Sequence, residues 1–396
     1  MALKKRLGEI ALLQRGLTYN KGDEVPSSSK IVLRSNNIDL ESHSLDLSEL
    51  KYLREDFVIP EDRKVKKDSI FICMSNGSKQ HVGKVAFIDR DMDYAFGGFM
   101  GLIVPKPSIS AKYVFYACNS SSYRTFLSQI GNGIGITNLR FSELEKFEIP
   151  VPSIEEQQCI VDELDLLSDI IDKKKAQLRD LDALAKSIFF EMFGEPDEHS
   201  NRWKASVVGD CFVSIKNGAN IKQSKNAGGI PITRIETLSN GVFNRDRLGY
   251  ADVYDANKYH SYILVDGDIL MSHINSKTYI GRSVVYKYLP GETIIHGMNL
   301  LRLIPKNEVL NPLYAKFFFD TVFFKRQVAS IRKDAVNQSS MAVGDLKKLR
   351  IYLPPIELQA SFCEIVSAIE RQKAIIKTSI DSSSVMLSSR MDYWFI

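Results

Sequence analysis

Histidine and lysine recur together in each half of this 396-residue chain, His81 with Lys79 and His273 with Lys277. A histidine acting as general base needs a carboxylate or nucleophile within hydrogen-bond reach, and no persuasive partner lies nearby in the sequence. The same residue types also serve nucleic-acid contact, because Asn, Lys, Arg and His address base edges or phosphates. The flanking polar stretches Asn76-Gly77-Ser78 and Asn275-Ser276-Lys277 read as turn-rich loops. They are candidate DNA-contacting segments, with an ordinary polar surface as the alternative. Arg34 and Arg234 stand at matching places in the two halves and are candidates of the same kind; a structural ion pair is their alternative reading.

Other motifs carry less chemistry. Gly131-Asn132-Gly133-Ile134-Gly135 has the glycine content of a phosphate cradle but precedes no P-loop lysine. It reads as a solvated turn or as a DNA-contacting loop that includes Asn132 and Thr137. Its counterpart, 333–340, is polar and ends in Asn337-Gln338-Ser339-Ser340, a source of hydroxyl and N–H donors for phosphates. Asn311-Pro312-Leu313-Tyr314 resembles the Asn-Pro-Pro-Tyr signature of adenine methyltransferases. That chemistry needs a glycine-rich cofactor turn after a strand, and none is evident, so the Asn-Pro pair is read as a helix start. No catalytic residue is assigned.

Composition sets the limits. Apolar residues make up 44% and charged residues 25%, as in ordinary globular proteins, and the length suits two or three domains. The net charge of +4 allows nucleic-acid binding without demonstrating it. Cys73, Cys118, Cys159, Cys211 and Cys363 are scattered and form no Cys-x-x-Cys pair. A metal site and a disulfide framework are therefore not expected, and a reduced, cytoplasmic protein is. No signal peptide and no apolar run of about 18 residues is evident, so no membrane association is expected.

The elements that must position these residues occur twice, at an offset of roughly 200 residues. Leu7-Gly8-Glu9 matches Val208-Gly209-Asp210, Gly16 matches Gly218, and Arg34 matches Arg234. Val65-Lys66-Lys67-Asp68-Ser69-Ile70 is set against Val265-Asp266-Gly267-Asp268-Ile269-Leu270, and Gly83-Lys84-Val85 against Gly281-Arg282-Ser283. Leu102-Ile103-Val104-Pro105 matches Arg302-Leu303-Ile304-Pro305, Ile154-Glu155 with Gln157 matches Ile356-Glu357 with Gln359, and Phe193 matches Phe395. Each copy opens as a mixed domain of short strands, with Ile70-Phe71-Ile72-Cys73-Met74 and Ile269-Leu270-Met271 as strands. Aromatics at helical spacing follow in 113–127 and 312–328.

Each copy closes in a long helix. Ser153-Ile154-Glu155-Glu156 supplies a cap with glutamate at the third helical position. Ile160, Leu164, Leu167, Ile171, Lys174, Leu178, Leu181, Ala185, Ile188 and Met192 then form a heptad seam, ended by Gly194 and Pro196. Asp172-Lys173-Lys174-Lys175 is read as a solvated face, except that Lys174 falls in the seam, where a polar residue sets register. The second seam is weaker: Ile365, Ile369, Gln372, Ile376, Ser379, Ser383 and Met386, with Ser382-Ser383-Ser384 poor in helix propensity. The expected fold is α+β: two mixed α/β domains, 1–153 and 195–355, related by a pseudo-two-fold axis and joined by two long antiparallel coiled-coil helices, 154–194 and 356–396. Such an arrangement suits two different half-sites on a duplex at a fixed spacing.

Several of these stretches carry a family resemblance. Gly131 to Leu139, Leu144 to Pro152 and Glu155-Glu156-Gln157 resemble the end of a target recognition domain and the start of its spacer helix in type I restriction–modification specificity subunits. The stretch from Lys186 to Pro196 is similar to the end of that spacer, and Asn201-Arg202-Trp203 with Val208-Gly209-Asp210 to the opening of the second recognition domain. The resemblance covers essentially the whole chain and departs from the family in the Ser-rich second helix. It implies a non-catalytic subunit that reads a split double-stranded DNA target. Its helices would dock methyltransferase subunits, and motor-nuclease subunits would join them. It implies no cofactor for this chain: S-adenosylmethionine, ATP and Mg would belong to the partners. A helical scaffold or a standalone DNA-modifying enzyme are the rival readings; the polar loops at matched positions speak against the first, and the lack of a cofactor constellation against the second.

Overall fold

The computed structural model describes residues 3–40, 42–130, 137–197, 202–224, 228–239, 241–335 and 338–396. They fall into two compact units, Met1–Ala176 with Ile376–Ile396, and Gln177–Ile375. Each unit thus takes one mixed domain together with a segment of both long helices.

The first unit is built on the antiparallel sheet Ala11–Arg15, Met100–Pro105, Ser69–Cys73, Val85–Ile88, in that order. Ser69–Cys73 is buried at every position. Side chains alternate across a strand, and here both faces are covered. Ile70 and Ile72 join the core under the helices, while Phe71 and Cys73 join one shared with Leu33 and Phe96 of a second sheet. This two-sided burial is why the strand reads as a continuous apolar run. The second unit repeats the order as Phe212–Asn217, Leu300–Pro305, Ile269–Ser272, Ser283–Val285, and splits Ile269 and Met271 from Leu270 in the same way.

The strand pairings correct the sequence matching by one residue. Ile70 faces Ile103 and Ile269 faces Leu303, which sets Asp68 against Gly267 rather than Asp268. Both have left-handed backbone, with φ of 55° and 86°, a conformation that favours glycine. The Gly16–Gly218 match holds: an added Cβ would lie 2.1 Å from Gly97 O in one unit and 2.2 Å from His296 O in the other.

The expected helical stretches 113–127 and 312–328 are each broken in two, Ala111–Ala117 with Ser121–Ile130 and Pro312–Phe319 with Val322–Ile331. The cause is the same in both. The Ser120 hydroxyl donates to Ala117 O at 2.7 Å and accepts from Tyr123 N–H at 3.3 Å. Thr321 does likewise with Phe318 O at 2.7 Å and Phe324 N–H at 3.2 Å. A short hydroxyl side chain that both takes up a carbonyl and caps a new turn competes with helix continuation. Asn311 starts a helix as expected, its Oδ1 accepting from Leu313 N–H at 2.9 Å with Pro312 in the first turn.

The long helices are Ile154–Phe193 and Ile356–Phe395, each of 40 residues. Ser153 Oγ accepts from Glu156 N–H at 3.3 Å, and Gly194, with φ of 76°, ends the first. Within each unit the helix segments run antiparallel: Glu163 bonds Arg390 and Trp394 in the first, and Asp182 bonds Lys373 in the second. Every expected seam position of the first helix is buried or half-buried. The second seam needs correcting. Ile369, Ile376, Ser379 and Ser383 lie in it, but Ile365, Gln372 and Met386 are exposed, and Phe362, Val366, Lys373 and Leu387 take their places. The serines have a structural role: Lys174 Nζ donates to Ser379 Oγ at 2.6 Å and to Ser383 Oγ at 3.1 Å. A half-buried cation and two hydroxyls satisfy one another only in one register.

The matched glutamines fasten domain to helix. Gln157 accepts from Ser110 N–H at 2.9 Å and donates to Pro152 O at 3.0 Å; Gln359 accepts from Asn311 N–H at 2.9 Å and donates to Pro354 O at 2.9 Å. All five cysteines are free thiols. Among the described residues no helix is long and apolar enough to cross a membrane, and no group of three or more His, Cys, Asp or Glu side chains gathers in a way that could hold a metal ion.

Candidate nucleic-acid interface

In the first unit the central strand runs out into the loop that carries Asn76, Ser78, Lys79 and His81. That loop is stitched to the segment after 136: Leu139 N–H donates to Met74 O at 2.7 Å, Asn76 N–H to Thr137 O at 3.1 Å, and Ser75 Oγ to Thr137 O at 3.1 Å. Asn76 in turn reaches Ser35, next to Arg34, through its Nδ2 at 2.8 Å. Arg34, Asn76, Ser78 and Thr137 are therefore one cluster. The Asn76 carboxamide is used inside it, its Oδ1 accepting from Ser78 N–H at 2.8 Å, so the side chain shapes the loop. Asn132 lies outside the described residues.

Arg34 N–H donates to Asn37 Oδ1 at 2.9 Å, while its Nε is buried with no hydrogen-bond partner among the described residues. Lys79 is exposed at the start of the short turn Lys79–His81. Burial, and then Lys84, hold the His81 imidazole below its ordinary pKa, and its Nδ1 is buried with no hydrogen-bond partner among the described residues.

Two adjoining hollows open beside this cluster. One, of about 1000 Å³, is walled by Tyr19, Lys21, Arg34, Lys51, Asn76 and Phe99 among others; the next, of about 780 Å³, shares Ser75, Gly98 and Phe99 and adds Arg15, Asn138 and Arg140. Lys51 is neutralised by Glu24 at 2.9 Å. Glu49 also lines the first hollow, but Lys21, Arg34, Lys51, Arg15 and Arg140 outnumber the two carboxylates and leave the groove with the sign of charge that phosphates require. Sequence reasoning missed Tyr19, Lys21, Phe99, Arg15 and Arg140. Gly97-Gly98 ahead of Phe99 was the available signal, but Phe99 stands among Phe96 and Met100, where a ring reads as core.

The second unit brings its candidates together through strand pairing. Ile274–Asn275 pairs with Ser339–Ser340, which pairs with Lys333–Asp334. Asn275, Ser339 and Gln338 thereby meet, Gln338 O accepting from Ala335 N–H at 3.1 Å. Asn275 Nδ2 donates to Ser272 Oγ at 3.2 Å and its Oδ1 accepts from Ser276 N–H at 2.7 Å, so it too shapes a loop. Ser339 is buried, its hydroxyl donating to Asp334 at 2.7 Å, and Lys277 Nζ lies 3.5 Å from the same carboxylate. Arg332, then Ser339, hold the Asp334 carboxyl well below the usual range. Lys277 lines a hollow of about 380 Å³ with Arg282, Lys325 and Arg332. Asn337 lies outside the described residues.

His273 is placed differently from His81. It is 4% exposed, and burial pushes its imidazole down to about 4. Met341 N–H donates to its carbonyl at 2.9 Å, as Leu139 N–H does to Met74. His273 thus holds Met74's core position, and Tyr279, at the end of the turn Lys277–Tyr279, holds that of His81. Arg234 also differs from Arg34, being paired with Glu236 at 3.5 Å.

Lys79→Ala should weaken binding to any duplex alike. If its ammonium meets a phosphate, the dependence of log K on log salt falls by about one unit, read by titration across salt concentrations. An unchanged slope removes Lys79 from the interface.

A duplicated α/β domain with paired polar loops over a cationic groove, joined to long helices, defines a DNA-reading protein of modular build. The chain belongs to the type I restriction modification DNA specificity domain family, whose model matches residues 3–181 and again 201–382. It is 26% identical over 387 residues to the EcoKI specificity subunit of Escherichia coli K12, covering 93% of this chain and 81% of that protein. It is 28% identical over 398 residues to the StySPI specificity subunit of Salmonella potsdam, with the same coverage of 93% and 81%. The solved S subunit of a type I system from M. genitalium shares the fold at a TM-score of 0.54 and 15% identity, over 100% of this chain and 96% of that one. DNA target recognition as a specificity subunit is the function that this membership gives.

Proposed function

We propose that this chain reads a bipartite double-stranded DNA site without catalysing any reaction itself, each mixed domain taking one half-site. The observation that carries this reading is the duplicated loop pair at the end of the central strand, alike in its described backbone pairing, Asn76 with Thr137 in one unit and Asn275 with Ser339 in the other, but flanked by different side chains: Tyr279 stands where His81 does, and Asn299 where Phe99 does. One scaffold thus presents two different surfaces to DNA. Methyltransferase subunits docked on the helices supply S-adenosylmethionine chemistry, and motor-nuclease subunits supply ATP- and Mg-dependent cleavage. The cytoplasm is where such a complex meets DNA.

Exchange of residues 1–153 for the first domain of another family member tests this. Methylation mapping of cells that carry the chimera with its partner subunits should show one half-site replaced and the other kept. Change in both half-sites, or in neither, sinks the reading.

A further inference from the structure

The groove of the first unit holds one side chain that packing does not account for. Phe99 is 72% exposed, yet its backbone is fixed on the sheet: its carbonyl accepts from Met74 N–H at 2.9 Å and from Ser75 N–H at 3.1 Å. Gly97 N–H donates to Leu33 O at 2.9 Å and Met100 N–H to Gly97 O at 2.8 Å, so the turn is held on both sides. A large apolar ring is therefore kept in water on a rigid base, in the wall shared by both hollows. Water exposure of such a surface is unfavourable, and its rigidity lowers the ordering cost of a contact made there. Arg34, with its Nε lacking a partner among the described residues, lines the same groove. The matching position of the second unit is Asn299, one residue before Leu300 as Phe99 is one before Met100. The ring is a feature of the first domain alone.

We propose that Phe99 is a specificity-determining residue of the first recognition domain, its ring resting on the 5-methyl group of a thymine while Arg34 beside it takes a polar base edge. This rests on the DNA-reading function proposed above. A phenyl ring offers no hydrogen bond. The thymine methyl is the apolar group that base pairs display in the major groove, and arginine addresses the acceptor edge of guanine.

The test uses the full chain in complex with its modification subunit and the target found by methylation mapping. Each thymine of the first half-site is replaced singly by deoxyuridine, which removes only the methyl. At one position the wild-type complex should bind roughly fourfold more weakly, while Phe99→Ala binds both duplexes equally. No sensitive position in the wild type, or equal sensitivity in Phe99→Ala, overturns the proposal. Loss of binding in Phe99→Ala that is independent of the methyl and accompanied by a straighter duplex also overturns it, and makes the ring a wedge between base steps. Lys21→Glu separates this from the underlying reading. It should weaken binding to target and unrelated duplexes alike, and if it does not, DNA does not lie in this groove, whatever Phe99 does.

Discussion

Phe395→Ala lowers the stability of the first unit by about 3–5 kcal/mol and leaves the second unit unchanged. The ring closes the helix Ile356–Phe395 and is 1% exposed. It packs on Tyr113 with centroids 5.0 Å apart, and the Tyr113 hydroxyl is tied to Pro150 O at 2.9 Å. The last turn of the chain is thus core material for a domain that began some 390 residues earlier, and Lys4 Nζ also reaches Ile396 O at 3.1 Å. The second unit has the same joint from its own helix: Phe193 lies 4.9 Å from Tyr314, whose hydroxyl donates to Tyr352 O at 2.8 Å. The two tryptophans make the prediction measurable by unit, because Trp394 belongs to the first and Trp203 to the second. In Trp203→Phe and Trp394→Phe backgrounds, denaturant titration followed by fluorescence should show the first transition moved and the second in place. An equal shift of both transitions would contradict independent cores. Phe395→Leu, which keeps most of the buried volume, should restore most of the loss.

That joint was legible in part. The Phe193–Phe395 match was plain in the sequence, but its meaning was not, because periodicity places a residue on a helix face and says nothing of which domain meets it. The first seam was read correctly since apolar residues mark nearly all of it. The second was read correctly at Ile369, Ile376, Ser379 and Ser383 and wrongly at the exposed Ile365, Gln372 and Met386, because one of the true positions is the charged Lys373 and the sparse apolar residues leave the phase loosely marked. Satisfied polar groups in a helix pair are invisible until the partner is in view. The polar loops were legible because turn residues announce themselves. Their internal wiring was not: Asn76 and Asn275 carry base-reading chemistry by type, yet both spend their carboxamides on neighbouring backbone and hydroxyl groups. His273 was misjudged for a related reason, since polarity in the sequence does not reveal a side chain that the fold buries at a core position.

Arg302→Leu alone should destabilise the second unit by about 3–5 kcal/mol, whereas Asp268→Ser with Arg302→Leu should return it to the wild-type level or above. Asp268 and Arg302 form an ion pair at 2.7 Å with side chains 3% and 9% exposed. Burial pushes the Asp268 carboxyl above its usual pKa in spite of Arg302 beside it, so desolvation outweighs attraction. Arg302 is not fully served either: its Nη1 donates to Ser261 O at 3.2 Å, but its Nε is buried without a partner among the described residues. The first unit shows what the same scaffold does without the charges. The strand pairings set Ser69 at the place of Asp268 and Leu102 at that of Arg302. Removing the arginine alone strands a buried carboxylate, while removing both leaves the arrangement the first unit already uses. The sign with pH follows from the raised carboxyl. With Arg302 removed, the stranded Asp268 is raised further, so Arg302→Leu should regain stability as pH falls from neutral toward that folded value, and lose it again as pH rises. Denaturation followed at Trp203 across pH 5 to 8 measures this. A single variant as stable as the double one at neutral pH would show that the pair is not coupled as its geometry requires.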